Sequence, residues 1–199
     1  MTDSPQALPP RHEVSFPNIS TKQFLLWLGM VSMSMVFLAS LVAYFITRHQ
    51  SEVWRTEEVP QLPWGLWVST LILFVLSGAM HRAKHFIRQN QVAPFQLWLN
   101  IATLAVVAFL GLQAYNWRVV ASEVLTAEVR SLYSFSFYLL TVIHAIHVVG
   151  GFVPQLIVKS KAKKGIYTAE SYEGVGLLTQ YWDFLLIVWL VLLPSVWFF

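Results

Sequence analysis

The chain has 199 residues, of which 56% are hydrophobic, 15% are aromatic and only 12% are charged. Soluble domains carry about a quarter of charged residues, so this composition excludes an ordinary soluble protein and predicts a polytopic membrane protein. The formal net charge is +3. The chain contains no cysteine, which excludes disulfides, thiolate metal sites, iron–sulfur clusters and haem attached through cysteine.

Five weakly charged stretches are each long enough to cross the hydrocarbon layer, which takes about 20 helical residues. A polar tail with several prolines, residues 1–22, precedes them; we expect it to be flexible, and it lacks the pattern of a signal peptide. Residues 23–199 are predicted to form one all-α membrane domain. Its five transmembrane helices are predicted at about 24–46, 64–80, 95–117, 132–158 and 175–198.

Lysine and arginine are unevenly divided between the two sides that five alternating spans define. Nine of the 13 lie in the tail and in the loops after the second and fourth spans, and the remaining four lie in the other two loops. Basic loops tend to stay on the cytoplasmic side. The N-terminus is therefore predicted to be cytoplasmic and the C-terminus to be outside.

The second span ends in a basic segment that contains two histidines, His81 and His85. Their spacing of four residues places both on one face of a helix, where they could share a metal ion. Arginine and lysine neighbours oppose cation binding. A basic helix end at the lipid head groups explains the segment more simply.

The fourth span carries two histidines deep inside it, His144 and His147, and the fifth span carries Asp183. His147 lies about 17 Å and Asp183 about 12 Å from the same end of the bundle, at 1.5 Å per residue. An ionisable group in hydrocarbon needs a partner. We therefore predict that Asp183 and a histidine of the fourth span bond to each other, in a polar cluster that includes Thr141.

Three roles suit such a cluster. A hydrogen-bonded group that fixes the register of the helices is favoured over a metal site formed by His144, His147 and Asp183, and over a proton relay. A bound b haem is disfavoured, because histidines three residues apart lie on one side of a helix, whereas the usual ligands come from opposing helices.

Motifs on several spans together resemble subunit III of the haem–copper respiratory oxidases, in its five-helix form. The first span has a serine and the third a glutamine in matching places. The fourth is similar to the pattern His-Gly-x-His-Val-x-x-Gly, and the fifth to Tyr-Trp-His-Phe-x-Asp-x-x-Trp. The matching positions are Ser32, Gln113, Thr141, His144, His147, Gly150, Tyr181, Trp182 and Trp189.

The chain departs from that pattern at its acids. Met33 stands where the family places an acid after the serine of the first helix, and Asn116 replaces an acid of the third. In the last helix Asp183 and Leu186 replace the histidine and the aspartate. A role that rests on the acid of the first helix is thus in doubt, whereas a packing role is not.

The resemblance implies an accessory subunit of an aerobic terminal oxidase, of the aa3 or caa3 cytochrome c oxidase type, in a bacterial inner membrane. Haem and copper would be held by partner subunits I and II, which take electrons from cytochrome c or a quinol, reduce oxygen to water and pump protons. This chain would bind no cofactor or metal, perform no catalysis itself, hold phospholipid, and shield oxygen and proton routes. No nucleic-acid partner is expected.

Other functions stay open at this point. Subunit III of a quinol oxidase, or a relative linked to nitric oxide reductase, would have the same pattern. From another class, a small membrane transporter would line a path with Gln113, Asp183 and the histidines, but no inverted repeat is present. A structural membrane protein without an enzyme partner is the third alternative.

Overall fold

The computed structural model describes residues 20–51, 63–126 and 132–198. Within these ranges the chain forms five α-helices: α1 Thr21–Gln50, α2 Gly65–Arg88, α3 Val92–Thr126, α4 Leu132–Lys163 and α5 Glu173–Phe198. Each is long and apolar enough to cross a membrane. The predicted all-α fold with five spans is confirmed. Most of the predicted tail lies outside the described residues.

The helices extend beyond the predicted spans at most of their ends. The predicted spans end where charged residues begin, but lysine, arginine and glutamate are good helix formers once the chain leaves the hydrocarbon. Ser20 caps α1 by accepting a hydrogen bond from the backbone N–H of Gln23. The charged ends of α2 and α4 therefore continue the helices of the bundle.

Two helices end in a turn that contains a residue with positive φ. Asn90 after α2 and Gly165 after α4 have φ values of 57° and 67°, the left-handed conformation that commonly ends a helix. After α4, Gly165 N–H donates to Ala162 and Ile166 N–H donates to Lys161. The same paired bonds follow α2. The short turn at Asn90 makes α2 and α3 an antiparallel hairpin.

Four helices form the bundle core, with contacts between α2 and α3, α3 and α4, α4 and α5, and α5 and α2. Helix α1 lies outside this ring and packs against α4 and α5 within the described part of the chain. Only Phe37 and Tyr44 of α1 are buried. Polar side chains inside the four-helix ring are therefore screened from lipid, whereas most of α1 is not.

Candidate functional site

Asp183 lies on the α2 side of α5. Its carboxylate accepts hydrogen bonds from Ser77 Oγ at 2.6 Å and from His81 Nε2 at 2.9 Å. The predicted bond between Asp183 and a histidine of α4 is therefore wrong. The acid has a histidine partner, but that histidine comes from the helix end that the sequence indicated to be only a basic surface.

The orientation of Trp182 explains this error. Its indole points into the bundle, where Nε1 donates to Gln155 Oε1 on α4 at 3.0 Å. Successive residues of a helix are turned by about 100°, so when Trp182 faces α4, Asp183 has to face elsewhere. Counting residues along α5 predicts the depth of Asp183 in the membrane, but it does not predict how α5 is rotated about its own axis.

His144 lies at the centre of the bundle and is fully buried. Three rings surround it: Trp189 at 5.0 Å between centroids, Phe109 at 5.8 Å and Phe37 at 6.1 Å. Among the described residues no protein group hydrogen-bonds to either of its nitrogens. The predicted functional histidine thus lies in an aromatic environment.

His147 is half-buried, one turn further along α4. Its Nδ1 lies 2.7 Å from the backbone oxygen of Ile143, so this nitrogen carries the proton and donates it. The ring packs on Phe37 of α1 at 5.0 Å. His147 therefore helps to hold α1 against the bundle.

Thr141, the fourth member of the predicted cluster, joins α3 to α4. Its hydroxyl accepts a hydrogen bond from Trp117 Nε1 at 3.1 Å, while Tyr138 donates to the backbone oxygen of Trp117 at 2.9 Å. The structure thus separates the cluster. Thr141 and the two histidines stay on α4, and Asp183 belongs to a different group with Ser77 and His81.

No group of three or more potential metal-binding residues comes together in the described ranges. His144, His147 and Asp183 do not share a site, since the aspartate is bonded to α2. His81 and His85 have separate partners: the first bonds to Asp183, and the second lies 3.1 Å from Gln89 Nε2. Both metal hypotheses lack a complete set of ligands in this part of the chain.

The remaining motif positions divide into exposed and buried ones. Ser32 is exposed and Met33 half-buried on α1, whereas Gln113, Trp182 and Trp189 are buried. Trp189 Nε1 donates to Thr70 Oγ1 on α2 at 2.9 Å, and Tyr181 OH donates to the backbone oxygen of His147 at 2.7 Å. The aromatic residues of the last motif hence bind α5 to α2 and α4.

Residues that the sequence did not single out complete these contacts. Gln155 connects Trp182 to α3, because its Nε2 also donates a hydrogen bond to Thr103 Oγ1 at 3.3 Å. At Gly151, which follows the motif position Gly150, a Cβ atom would lie 2.3 Å from the Tyr181 ring. The adjacent pair of glycines was the only signal in the sequence for this close approach.

No family model matches the chain. Pairwise similarity is informative: cytochrome c oxidase subunit 3 of Synechocystis sp. is 33% identical over 167 residues, which is 83% of this chain and 70% of that protein. The chain belongs to the cytochrome c oxidase subunit 3 family. Among other members, that of Bacillus subtilis is 28% identical over 81% of this chain and 78% of its own length. Probable cytochrome c oxidase subunit 3 of Nocardia farcinica is 26% identical over 94% and 91%.

Membership of the subunit 3 family makes this chain an accessory subunit of a terminal oxidase, associated with other oxidase subunits in a membrane. The site geometry agrees with that assignment. In the described bundle most of the bonded polar side chains of the motifs connect one helix to another, whereas His147 Nδ1 bonds within α4. Their arrangement positions the helices.

The two glycines provide a test of the packing. We expect Gly151→Ala to lower the free energy of unfolding by about 1–3 kcal/mol, because the added methyl group overlaps the Tyr181 ring. Gly150→Ala is the matched control, since its Cβ would lie 3.8 Å from the Tyr181 hydroxyl, an ordinary contact. Thermal unfolding in mild detergent measures both. Equal stability of the two variants would contradict the packing of α4 on α5.

Proposed function

We propose that this chain is a non-catalytic subunit that stabilises the catalytic core of a bacterial cytochrome c oxidase of the aa3 or caa3 type. Partner subunits I and II would hold the haems and copper and receive electrons from cytochrome c. The complex would lie in the inner membrane. The N-terminus of this chain would be cytoplasmic, with the basic ends of α2 and α4 on the same side.

The observation that carries this proposal is the use of polar side chains in the bundle interior. Trp182, Gln155 and Thr103 form one chain of hydrogen bonds across α5, α4 and α3, and Trp189 with Thr70 joins α5 to α2. Groups engaged in this way fix the register of the helices. A rigid bundle of this kind suits a subunit that supports a neighbour.

Removal of the chain tests whether it supports the catalytic subunits or takes part in catalysis itself. We expect an oxidase complex prepared without this subunit to begin oxygen consumption at nearly the rate of the complete complex, but to lose activity much earlier during sustained turnover. The reason is that the haems and copper stay in place while the supporting and shielding surface is gone. Oxygen consumption, followed from the first seconds to full inactivation, measures both quantities.

The complete complex, purified in parallel from the same cells, is the control for this experiment. If the depleted complex has its haem spectrum intact but no initial activity, this chain takes part directly in the chemistry and the proposal is wrong. If the chain purifies alone and supports solute flux in vesicles, the transporter alternative replaces it.

Lipid binding is the second part of the proposed role. A groove of about 650 Å³ lies between α1, α4 and α5. Cations line one end, where Lys22 forms a salt bridge with Glu173 at 3.1 Å and Lys161 is exposed, and apolar residues such as Leu26, Ile157 and Leu177 line the rest. A phospholipid matches this division, with its phosphate at Lys161 and an acyl chain along the groove.

Charge reversal at the groove tests this assignment. We expect Lys161→Glu to reduce the amount of anionic phospholipid that stays bound to the purified complex, because the phosphate would then face a carboxylate. Lys164→Glu changes the net charge equally and lies outside the groove lining, so it serves as the control. Lipid mass spectrometry of the two variants gives the comparison. An identical lipid content would remove this groove as a phospholipid site.

A further inference from the structure

Three polar side chains in the bundle interior have no hydrogen-bond partner among the described protein groups: Gln113, Asn116 and His144. Each is at most 1% exposed. Gln155 is equally buried, but both ends of its amide are bonded. Within the described interior, protein atoms therefore satisfy the amide of Gln155 but leave Gln113, Asn116 and His144 unsatisfied.

Gln113 and Asn116 lie on α3, and His144 lies on the neighbouring helix α4. Trp117 on α3 bonds to Thr141 on α4, and Phe109 on α3 packs on His144. Gln113 lies one turn from both Phe109 and Trp117, so it is positioned between the two contacts. Asn116 lies three residues beyond Gln113 on α3, and its Oδ1 lies against Gly65 at the beginning of α2. From Asn116 to Phe109, the α3 residue that packs on His144, the helix rises about 10 Å.

Leaving these groups unpaired would be costly. An unsatisfied buried amide or imidazole group loses the hydrogen bonds that it makes in water, and the hydrocarbon around the bundle offers none in exchange. The aromatic rings around His144 replace only one of the two hydrogen-bond partners that its imidazole needs. A ring face can accept the N–H of a neutral imidazole, but it has nothing to donate to the lone pair of the other nitrogen.

We propose that Gln113, Asn116 and His144 bind ordered water inside the bundle, in a site entered from the end where α2 begins. Water supplies both donors and acceptors, and a buried water typically makes about three hydrogen bonds to groups that would otherwise be unsatisfied. Gly65 favours this site because its missing side chain lets the Asn116 amide lie against α2. The inference rests on the chain's own geometry and is independent of the electron donor and of the lipid groove.

Two tryptophans of α5 provide an internal comparison for the experiment. Trp189 packs on His144, beside the proposed water, and Trp182 bonds to Gln155, whose amide has protein partners. Both indoles are 1% exposed. Hydroxyl radicals that form by X-ray radiolysis of bound water modify only adjacent side chains, so a short exposure of the intact oxidase complex followed by mass spectrometry distinguishes the two positions.

We expect His144 and Trp189 to be modified several-fold more than Trp182. In the Gln113→Leu variant modification of His144 and Trp189 should fall towards the level of Trp182, whereas Gln155→Leu should leave their modification unchanged. Equally low modification of Trp189 and Trp182 in the unmodified complex would overturn the proposal, and this outcome does not depend on whether either variant folds. Loss of modification in Gln155→Leu as well would also overturn it, because the effect would then be general loosening or repacking.

Discussion

The bundle depends on one constraint: the lipid offers a polar group no hydrogen-bond partner, so that partner must lie inside the bundle. Two indoles of α5 meet it at Gln155, Thr103 and Thr70. Trp182 bonds to Gln155 and through it to Thr103, and Trp189 bonds to Thr70 while its ring packs on Phe109 and His144. From one helix, these two side chains reach all three other helices of the ring.

Helix α1 is attached to this ring by a different set of contacts. At one end Ser20 and Lys22 bond to Glu173, and at the other Tyr44 OH donates to the backbone oxygen of Ser195 at 2.9 Å. Between them Phe37 packs on the two histidines of α4. Most other side chains of α1 face outward. The four-helix ring thus has its own core, and α1 is a fifth helix bound along its α4 and α5 side.

Much of the fold followed from the sequence because hydropathy along a chain is a local property. The number and order of the spans could be predicted from the lengths of the apolar stretches alone. The predicted spans stopped short of the charged helix ends, because a charged residue ends a hydrophobic run but does not end a helix. Which helices touch was harder, since the five spans alone do not place α1 outside the ring. For the site, the sequence predicted how deep each residue lies in the membrane, and Thr141, His144 and His147 do share one helix.

The pairing of Asp183 was beyond that kind of inference, because it depends on rotation of α5 about its own axis. The rotation follows from the direction of Trp182, and no local feature of the sequence indicates that this indole bonds to Gln155. The departures from the family pattern at positions 183 and 186 are consistent with the pairing of Asp183 with α2. The pattern places a histidine at position 183 and an acid at 186, but Leu186 is only 9% exposed, so an acid there would need a partner inside the bundle. With Asp183 at the α2 surface and His81 beside it, the acid and the imidazole form a pair between two helices, and the core position is left to leucine.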